Sequence, residues 1–174
     1  YRPKLLLTAL TLLALLCAGP VAAAPAATPP EVAGTGHLLL DMGSNQVLAA
    51  QNIDHKLEPA SLTKILTAYV VLREIRNGHI SLADPVLVSE KAWRMEGSRM
   101  FIEVGKQVSV EDLLKGLIVA SGNDSAVALA EHTAGSEEAF ANLMNEHAER
   151  LGMTNSHFVN ASGLPHPEHY TTPA

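Results

Sequence analysis

Two short apolar runs near the front of the chain set the strongest limit on its fold. His37-Leu38-Leu39-Leu40-Asp41 and Gln46-Val47-Leu48-Ala49-Ala50 flank the turn-forming stretch Met42-Gly43-Ser44-Asn45. Such a pattern predicts a β-hairpin. A lone two-stranded hairpin is marginal in water, so it must pair with further strands or lie under helices. The chain after the hairpin is mainly helical in pattern. From about Ser61, Leu62, Ile65, Leu66, Tyr69, Val70 and Leu72 recur at helical spacing until Asn77-Gly78 ends the run. Ile80 to Phe101 reads as irregular, with Asp84-Pro85 and Gly97-Ser98 as breakers. Ser109-x-x-Asp112 caps a second helix through Val119. Asn123 or Asp124 caps a third, Ala-rich helix that ends at Gly135. Ser136-Glu137-Glu138 opens a fourth, which runs to Leu151 with Gly152 behind it. Phe158 to Asn160 is a candidate short strand.

A hairpin followed by several helices is an α+β order, with helices packed on an antiparallel sheet. Nothing after residue 135 reads as a strong strand, so the later strands of that sheet are expected beyond residue 174. Aromatic residues make up only 4% of the chain, so its core must come from Leu, Val, Ile and Ala. No internal repeat or heptad pattern is present.

The first residues read as a targeting segment. Arg2 and Lys4 precede an apolar run from Leu5 to Ala18, Gly19-Pro20 breaks it, and Val21-Ala22-Ala23-Ala24 supplies small residues. This is the layout of a secretory signal, expected over 1–24, with a Pro-, Ala- and Thr-rich linker over 25–35. The alternative is a short retained anchor, for which the run is too brief to span a bilayer comfortably. The single Cys, Cys17, lies inside this segment, and its flank lacks the small residue expected before a lipidated Cys. A processed chain then has no Cys, which excludes structural disulfides, Cys-based zinc sites and a Cys nucleophile. An exported, Cys-free chain fits a bacterial periplasm or the outer face of the cytoplasmic membrane. The net charge of -6 becomes more negative once Arg2 and Lys4 are removed, which argues against nucleic acid as a partner.

Two polar stretches can carry chemistry. In Ser61-Leu62-Thr63-Lys64 the serine and lysine lie three apart, on one helix face. A hydroxyl needs an adjacent base to become a nucleophile. Lysine serves only when neutral, which requires its pKa to fall by about three units. Burial at a helix start pushes that way, and the same helix end offers the Ser61 N–H to a developing oxyanion. Alone, the motif is weak, because Ser-x-x-Lys arises about once by chance in a chain this long, and a serine at a helix start is usually a cap. The second stretch is Ala120-Ser121-Gly122-Asn123-Asp124-Ser125, a polar turn between two helices. Such a turn is costly to bury unpartnered and is expected to face a cleft.

Together the two stretches are more specific. They stand sixty residues apart, in the order of the penicillin-recognising serine enzymes: Ser-x-x-Lys, Ser-x-Asn, then Lys-Thr-Gly. From about Gly36 to Thr172 the chain closely resembles the serine-type D-alanyl-D-alanine carboxypeptidases, the low-molecular-mass penicillin-binding proteins of peptidase family S11. The resemblance extends to Pro59-Ala60, Gly97-Ser98-Arg99-Met100-Phe101, His157-Phe158 and Gly163-Leu164. It implies the penicillin-binding protein/β-lactamase-like transpeptidase fold. It also implies Ser61 as nucleophile, Lys64 as its base, Ser121 as proton relay toward the leaving amine, and Asn123 as the amide holding the substrate's peptide carbonyl. It carries no catalytic role to Gly97-Ser98. The implied substrate is a peptidoglycan stem peptide ending in D-Ala-D-Ala, with β-lactams as inhibitors and no metal or organic cofactor. Membrane contact is implied only through a C-terminal anchor not in this sequence.

One departure is large: no Lys-Thr-Gly occurs anywhere in the chain. The resemblance places it beyond residue 174, on a strand that binds the substrate carboxylate. Residues 36–174 therefore read as the N-terminal part of a truncated catalytic domain. The non-enzyme alternative is an inactive fragment, or a penicillin or peptidoglycan binder lacking that strand. Within the superfamily, a DD-endopeptidase stays open. A class A β-lactamase is disfavoured by Gly122 where that class has Asp, and by the mismatched neighbours of Glu168. His166-x-x-His169, flanked by Pro165 and Pro167, reads as a polar surface loop rather than a metal pair. His132 and His147 read as surface or half-buried, and Glu137 and Glu138 as helix-start charges.

Overall fold

The computed structural model describes residues 29 and 31–174. The expected signal segment and part of the linker lie outside the described residues. The hairpin forms as the sequence predicts, from β1 (His37–Asp41) and β2 (Gln46–Gln51). The Asp41 carboxylate accepts both the backbone N–H and the hydroxyl of Ser44, at 2.7 and 2.6 Å, which fixes the turn. A bulge between Leu39 and Leu40 shifts the register. Among the described residues the two strands pair only with each other, and Leu39, Val47 and Leu48 remain exposed.

Behind the hairpin, a 3-10 turn (Ala60–Leu62) leads into α1 (Thr63–Asn77). Ser61 therefore does not begin an α-helix as the spacing suggests. Ala60 adopts a left-handed φ of 46°, and the regular helix starts only at Thr63. Helix α1 closes in a Schellman arrangement: Gly78 N–H bonds to Ile75 C=O and His79 N–H to Glu74 C=O.

The stretch expected to be irregular contains β3 (Pro85–Leu87) and the short α2 (Glu90–Trp93). Strand β3 pairs antiparallel with β4 (Gln107–Ser109) across a long intervening loop. Both strands have only three residues, too few for a period-two pattern to register in the sequence. Ser109 caps α3 (Val110–Val119) by accepting the Asp112 N–H at 3.1 Å, as predicted.

Helix α4 (Asn123–Ala134) packs against α1, α2, α3 and β3, and against the helix that follows it. Every residue from Asn123 to Ala130 is buried, because a sequence that is apolar or small on all faces must be covered on all faces. Its N-cap is Gly122 and makes no side-chain cap. Asn123 and Asp124, either of which the sequence offers as the cap, are instead the first helical residues and turn their side chains to the loop before β4. Helix α5 (Glu137–Arg150) is capped by Ser136, as expected. Val70, Val71, Leu113, Leu117, Val127, Leu129, Phe140 and Met144 form the core between α1, α3, α4 and α5. Phe158 is buried against that core, but Phe158 to Asn160 form no strand. Residue His157 instead makes a single antiparallel bridge to Tyr170, and Leu57 makes another to Thr171. These two bridges fold the segment from His157 to Thr171 back onto the approach to α1. Among the described residues no helix is long and apolar enough to cross a membrane.

Phe140 is fully buried in the core. Its replacement by Ala should lower unfolding free energy by about 3–5 kcal/mol, while Ser136→Ala should cost about 1 kcal/mol through the lost cap. Urea denaturation of the two variants measures both.

Candidate active site

Ser61 projects from the 3-10 turn into solvent, while Lys64, one residue into α1, is buried to 5% exposure. The i to i+3 offset brings them together: Lys64 Nζ lies 3.3 Å from Ser61 Oγ. The stronger bond of the amine goes elsewhere. Nζ donates to the backbone C=O of Ser162 at 2.7 Å. Among the described residues, the ion-paired lysines are Lys91 and Lys115, and Lys64 meets no carboxylate. Burial therefore pushes the Lys64 pKa below its ordinary value, the direction a lysine base requires.

The segment 160–163 is built to deliver that carbonyl. Thr67 Oγ1 donates to Ala161 C=O at 2.8 Å, and Ala161 N–H donates to Glu137 Oε1 at 3.0 Å. The other oxygen of Glu137 pairs with Lys91 at 2.8 Å. Glu137 is thus a buried link from α2 through α5 to this segment, not only a charge at a helix start. The Asn160 side chain accepts the Gly163 N–H at 2.7 Å, tightening the turn. Gly163 has φ of +86°, and a Cβ on it would lie 1.8 Å from the Ala60 carbonyl oxygen. Only glycine permits both that backbone and that approach.

Ser121 occupies the turn between α3 and α4 with a left-handed φ of 53°, uncommon for a non-glycine residue. It lines the same cleft as Ser61 and Lys64, with Ile65, Tyr69, Leu117 and Ile118 as the principal other walls. The cleft holds about 430 Å³. A few convergent polar groups on an apolar wall is the usual composition of a small-ligand site. The expectation that the Ser121 turn faces a cleft is met.

Asn123 lies elsewhere. It is not among the residues lining that cleft; its amide donates to Glu96 C=O and its backbone N–H to Ser98 C=O, both at 2.7 Å. Gly97 fits beneath it, since a Cβ there would come within 2.9 Å of Asn123 Nδ2. The neighbouring Asp124 carboxylate accepts the backbone N–H groups of Met100, Phe101 and Ile102 at 3.0, 2.8 and 3.3 Å. The Asn123-Asp124 pair therefore fastens the 96–102 loop beside the Ser121 turn.

Two buried histidines depart from the sequence reading, and a third buried residue, Ser162, carries no signal in it. His147 is buried at 5% exposure, packed edge-on to Tyr69. His169, placed by the sequence on a surface loop, is buried at 2%, while His166 is exposed as expected. Ser162 contributes a main-chain oxygen, which no side-chain motif reports. No group of three or more metal-ligating residues occurs among the described residues.

Comparison with known proteins identifies the family. A family profile described as D-alanyl-D-alanine carboxypeptidase, peptidase S11, matches residues 23–174. The D-alanyl-D-alanine carboxypeptidase DacC of Escherichia coli (strain K12) is 46% identical over 149 residues, covering 82% of this chain and 37% of that protein. The crystal structure of the D-alanyl-D-alanine carboxypeptidase DacD from Francisella tularensis matches with a TM-score of 0.81 at 40% identity, covering 86% of this chain and 36% of that one. Penicillin binding protein 5 from Haemophilus influenzae matches with a TM-score of 0.80 at 40% identity, covering 84% of this chain and 43% of that one. The chain thus spans less than half the length of these relatives. Its helices and small antiparallel sheets are arranged as in these penicillin-binding neighbours, the fold that the sequence implied.

Gly163→Ala should destabilise the protein by about 2–4 kcal/mol, combining left-handed strain with overlap on Ala60. Ser162→Ala, which keeps the carbonyl that Lys64 uses, should cost far less. Thermal melts of the two variants provide the comparison.

Proposed function

We propose, from the premise that this chain belongs to the D-alanyl-D-alanine carboxypeptidase family of peptidase S11, that it performs serine acyl transfer on peptidoglycan stem peptides ending in D-Ala-D-Ala. The observation that carries this reading is the Lys64 amine. It is buried, meets no carboxylate among the described residues, and sits between the Ser61 hydroxyl and a fixed carbonyl.

In the proposed reaction Ser61 Oγ attacks the carbonyl between the two terminal D-alanines. Its proton passes to neutral Lys64, for which burial lowers the cost of neutrality. The Ser162 carbonyl orients the amine, because a C=O accepts from either its neutral or its charged form. Ser121, across the cleft, passes a proton to the departing D-Ala nitrogen. Water then frees the acyl-enzyme. Asn123 has two amide protons and gives one to Glu96. The other is the proposed donor to the peptide carbonyl of the substrate, which on this reading extends past the Ser121 turn toward the 96–102 loop. Peptidoglycan as substrate agrees with export by the signal-like segment at 1–24, to the periplasm or the outer face of the cytoplasmic membrane. β-Lactams are the proposed inhibitors, acylating the same serine.

A fluorescent penicillin added to the intact protein should label it covalently, and the label should vanish in Ser61→Ala and persist in Ser162→Ala. Equal labelling of both variants refutes the assignment of Ser61. Release of D-Ala from a stem peptide tests the substrate.

The pH dependence is set by the lowered Lys64 pKa. The charged amine dominates below its folded-state value and the neutral base accumulates above it. Acylation should therefore rise with pH and level off before the ordinary lysine value of 10.5. Lys64→Arg, which stays charged throughout, should abolish labelling at every pH. A stopped-flow series with the fluorescent penicillin measures both.

A further inference from the structure

The turn that carries Ser61 is held by little of its own. Its internal bonds are Leu62 N–H to Pro59 C=O at 3.1 Å and the Thr63 N–H back to the Ala60 and Ser61 carbonyls, and Ala60 within it is in the left-handed region. A turn in that conformation persists only when its surroundings over-determine it. One clamp is the bond from Lys64 to the Ser162 carbonyl, but this uses the very amine that must stay free to move a proton. A second clamp is present at Thr63, between Ser61 and Lys64. The Thr63 hydroxyl lies 2.8 Å from His169 Nε2, and both residues are almost fully buried.

The Val159 backbone fixes the direction of that bond. His169 Nδ1 lies 3.1 Å from the Val159 backbone nitrogen, which can only donate. Nδ1 is therefore the acceptor, the ring is neutral, and its proton sits on Nε2. Nε2–H then donates to Thr63 Oγ1. Burial favours this neutral form and pushes the His169 pKa down, with the charges of His166 and His157 acting in the same direction. The ring also packs edge-on to Phe158, at 5.5 Å between centroids. His169 thus joins the folded-back segment 157–171 to the first residue of α1.

We propose that His169 is a positioning residue for acyl transfer: through Thr63 it fixes the turn so that Ser61 Oγ stays within reach of the Lys64 amine. The proposal rests on the assignment of Ser61 as nucleophile and Lys64 as its base. The 3.3 Å between these two atoms is already at the long end of hydrogen-bond reach, so a small drift of the turn breaks the contact. A shift of that kind impairs the chemical step while leaving the cleft walls at Tyr69, Leu117 and Ile118 unchanged.

The test uses acylation of the intact protein by the fluorescent penicillin, resolved into initial binding and the acylation rate constant at saturation. His169→Ala and Thr63→Val should each slow acylation roughly tenfold, the equivalent of one buried hydrogen bond, with initial binding unchanged. The double variant should be no slower than the slower single variant. His169→Gln, which places an N–H donor where Nε2–H was, should restore most of the rate. His169→Asn, whose shorter amide reaches only the Val159 side, should not. Thr63→Ser should behave like the wild type.

Wild-type acylation rates in both His169→Ala and Thr63→Val overturn the proposal. So do losses that multiply in the double variant, or equal rates in the Gln and Asn variants. Should His169→Ala fail to fold, as judged by its thermal melt, Thr63→Val against Thr63→Ser decides: equal rates overturn the proposal, and a loss confined to Val supports it. A wild-type protein that takes up no label at Ser61 overturns the acyl-transfer reading and this inference with it. A labelled wild type with fully active His169 and Thr63 variants overturns only the inference.

Discussion

Burying a lysine amine without a carboxylate beside it is the constraint around which the rest of this structure is arranged. An ammonium taken out of water is costly, and a protein lowers that cost by supplying hydrogen-bond acceptors or by letting the group lose its proton. Here both occur. The Ser162 carbonyl accepts from Nζ at 2.7 Å, and burial favours the neutral amine. A main-chain carbonyl is a fitting partner because it adds no charge that would hold the proton on. An Asp or Glu in its place would raise the lysine pKa, as Glu137 does for Lys91.

Placing one carbonyl that accurately takes a long chain excursion. Ser162 is ninety-eight residues from Lys64. The segment that bears it is tied to α1 through Thr67, to α5 through Glu137 and to the approach of α1 through the Leu57–Thr171 bridge. Gly163 lets its backbone touch Ala60, and His169 reaches Thr63. These contacts surround the four residues of Ser61-Leu62-Thr63-Lys64 from below. Elsewhere, α4 runs through the core and turns its first two side chains toward the 96–102 loop. Asp124 and Asn123 fasten the 96–102 loop, and the strained Ser121 is left facing the cleft. The candidate reacting groups are thus spread over two short sequences, but the support comes from segments that carry no motif.

Much of the secondary structure was legible because it obeys local rules. The hairpin, the C-terminal ends of α1 and α5, and the caps at Ser109 and Ser136 are all set by turn residues, side-chain caps and glycines at fixed offsets. Where the reading failed, a non-local contact had overruled the local preference. Asn123 and Asp124 are good capping residues, but the 96–102 loop claims both side chains, leaving Gly122 at the cap. His169 stands among prolines and polar residues and looks solvated, yet Thr63 and Val159 hold it inside. Strands β3 and β4 are three residues each and exist because they find each other across a loop.

By itself the sequence singled out the candidate reacting groups. A serine and a lysine three apart, across a 3-10 turn and the helix it leads into, are neighbours through local geometry alone, and Ser-x-Asn in the expected order matches the family pattern. The tertiary structure decided what makes those groups usable: which oxygen meets the amine, how dry it is, and what keeps the serine beside it. Those properties depend on a main-chain carbonyl, a glycine's missing Cβ and a buried imidazole, each brought in from about a hundred residues away. A backbone oxygen is common to every residue, so only the folding of the chain can show where it has been placed.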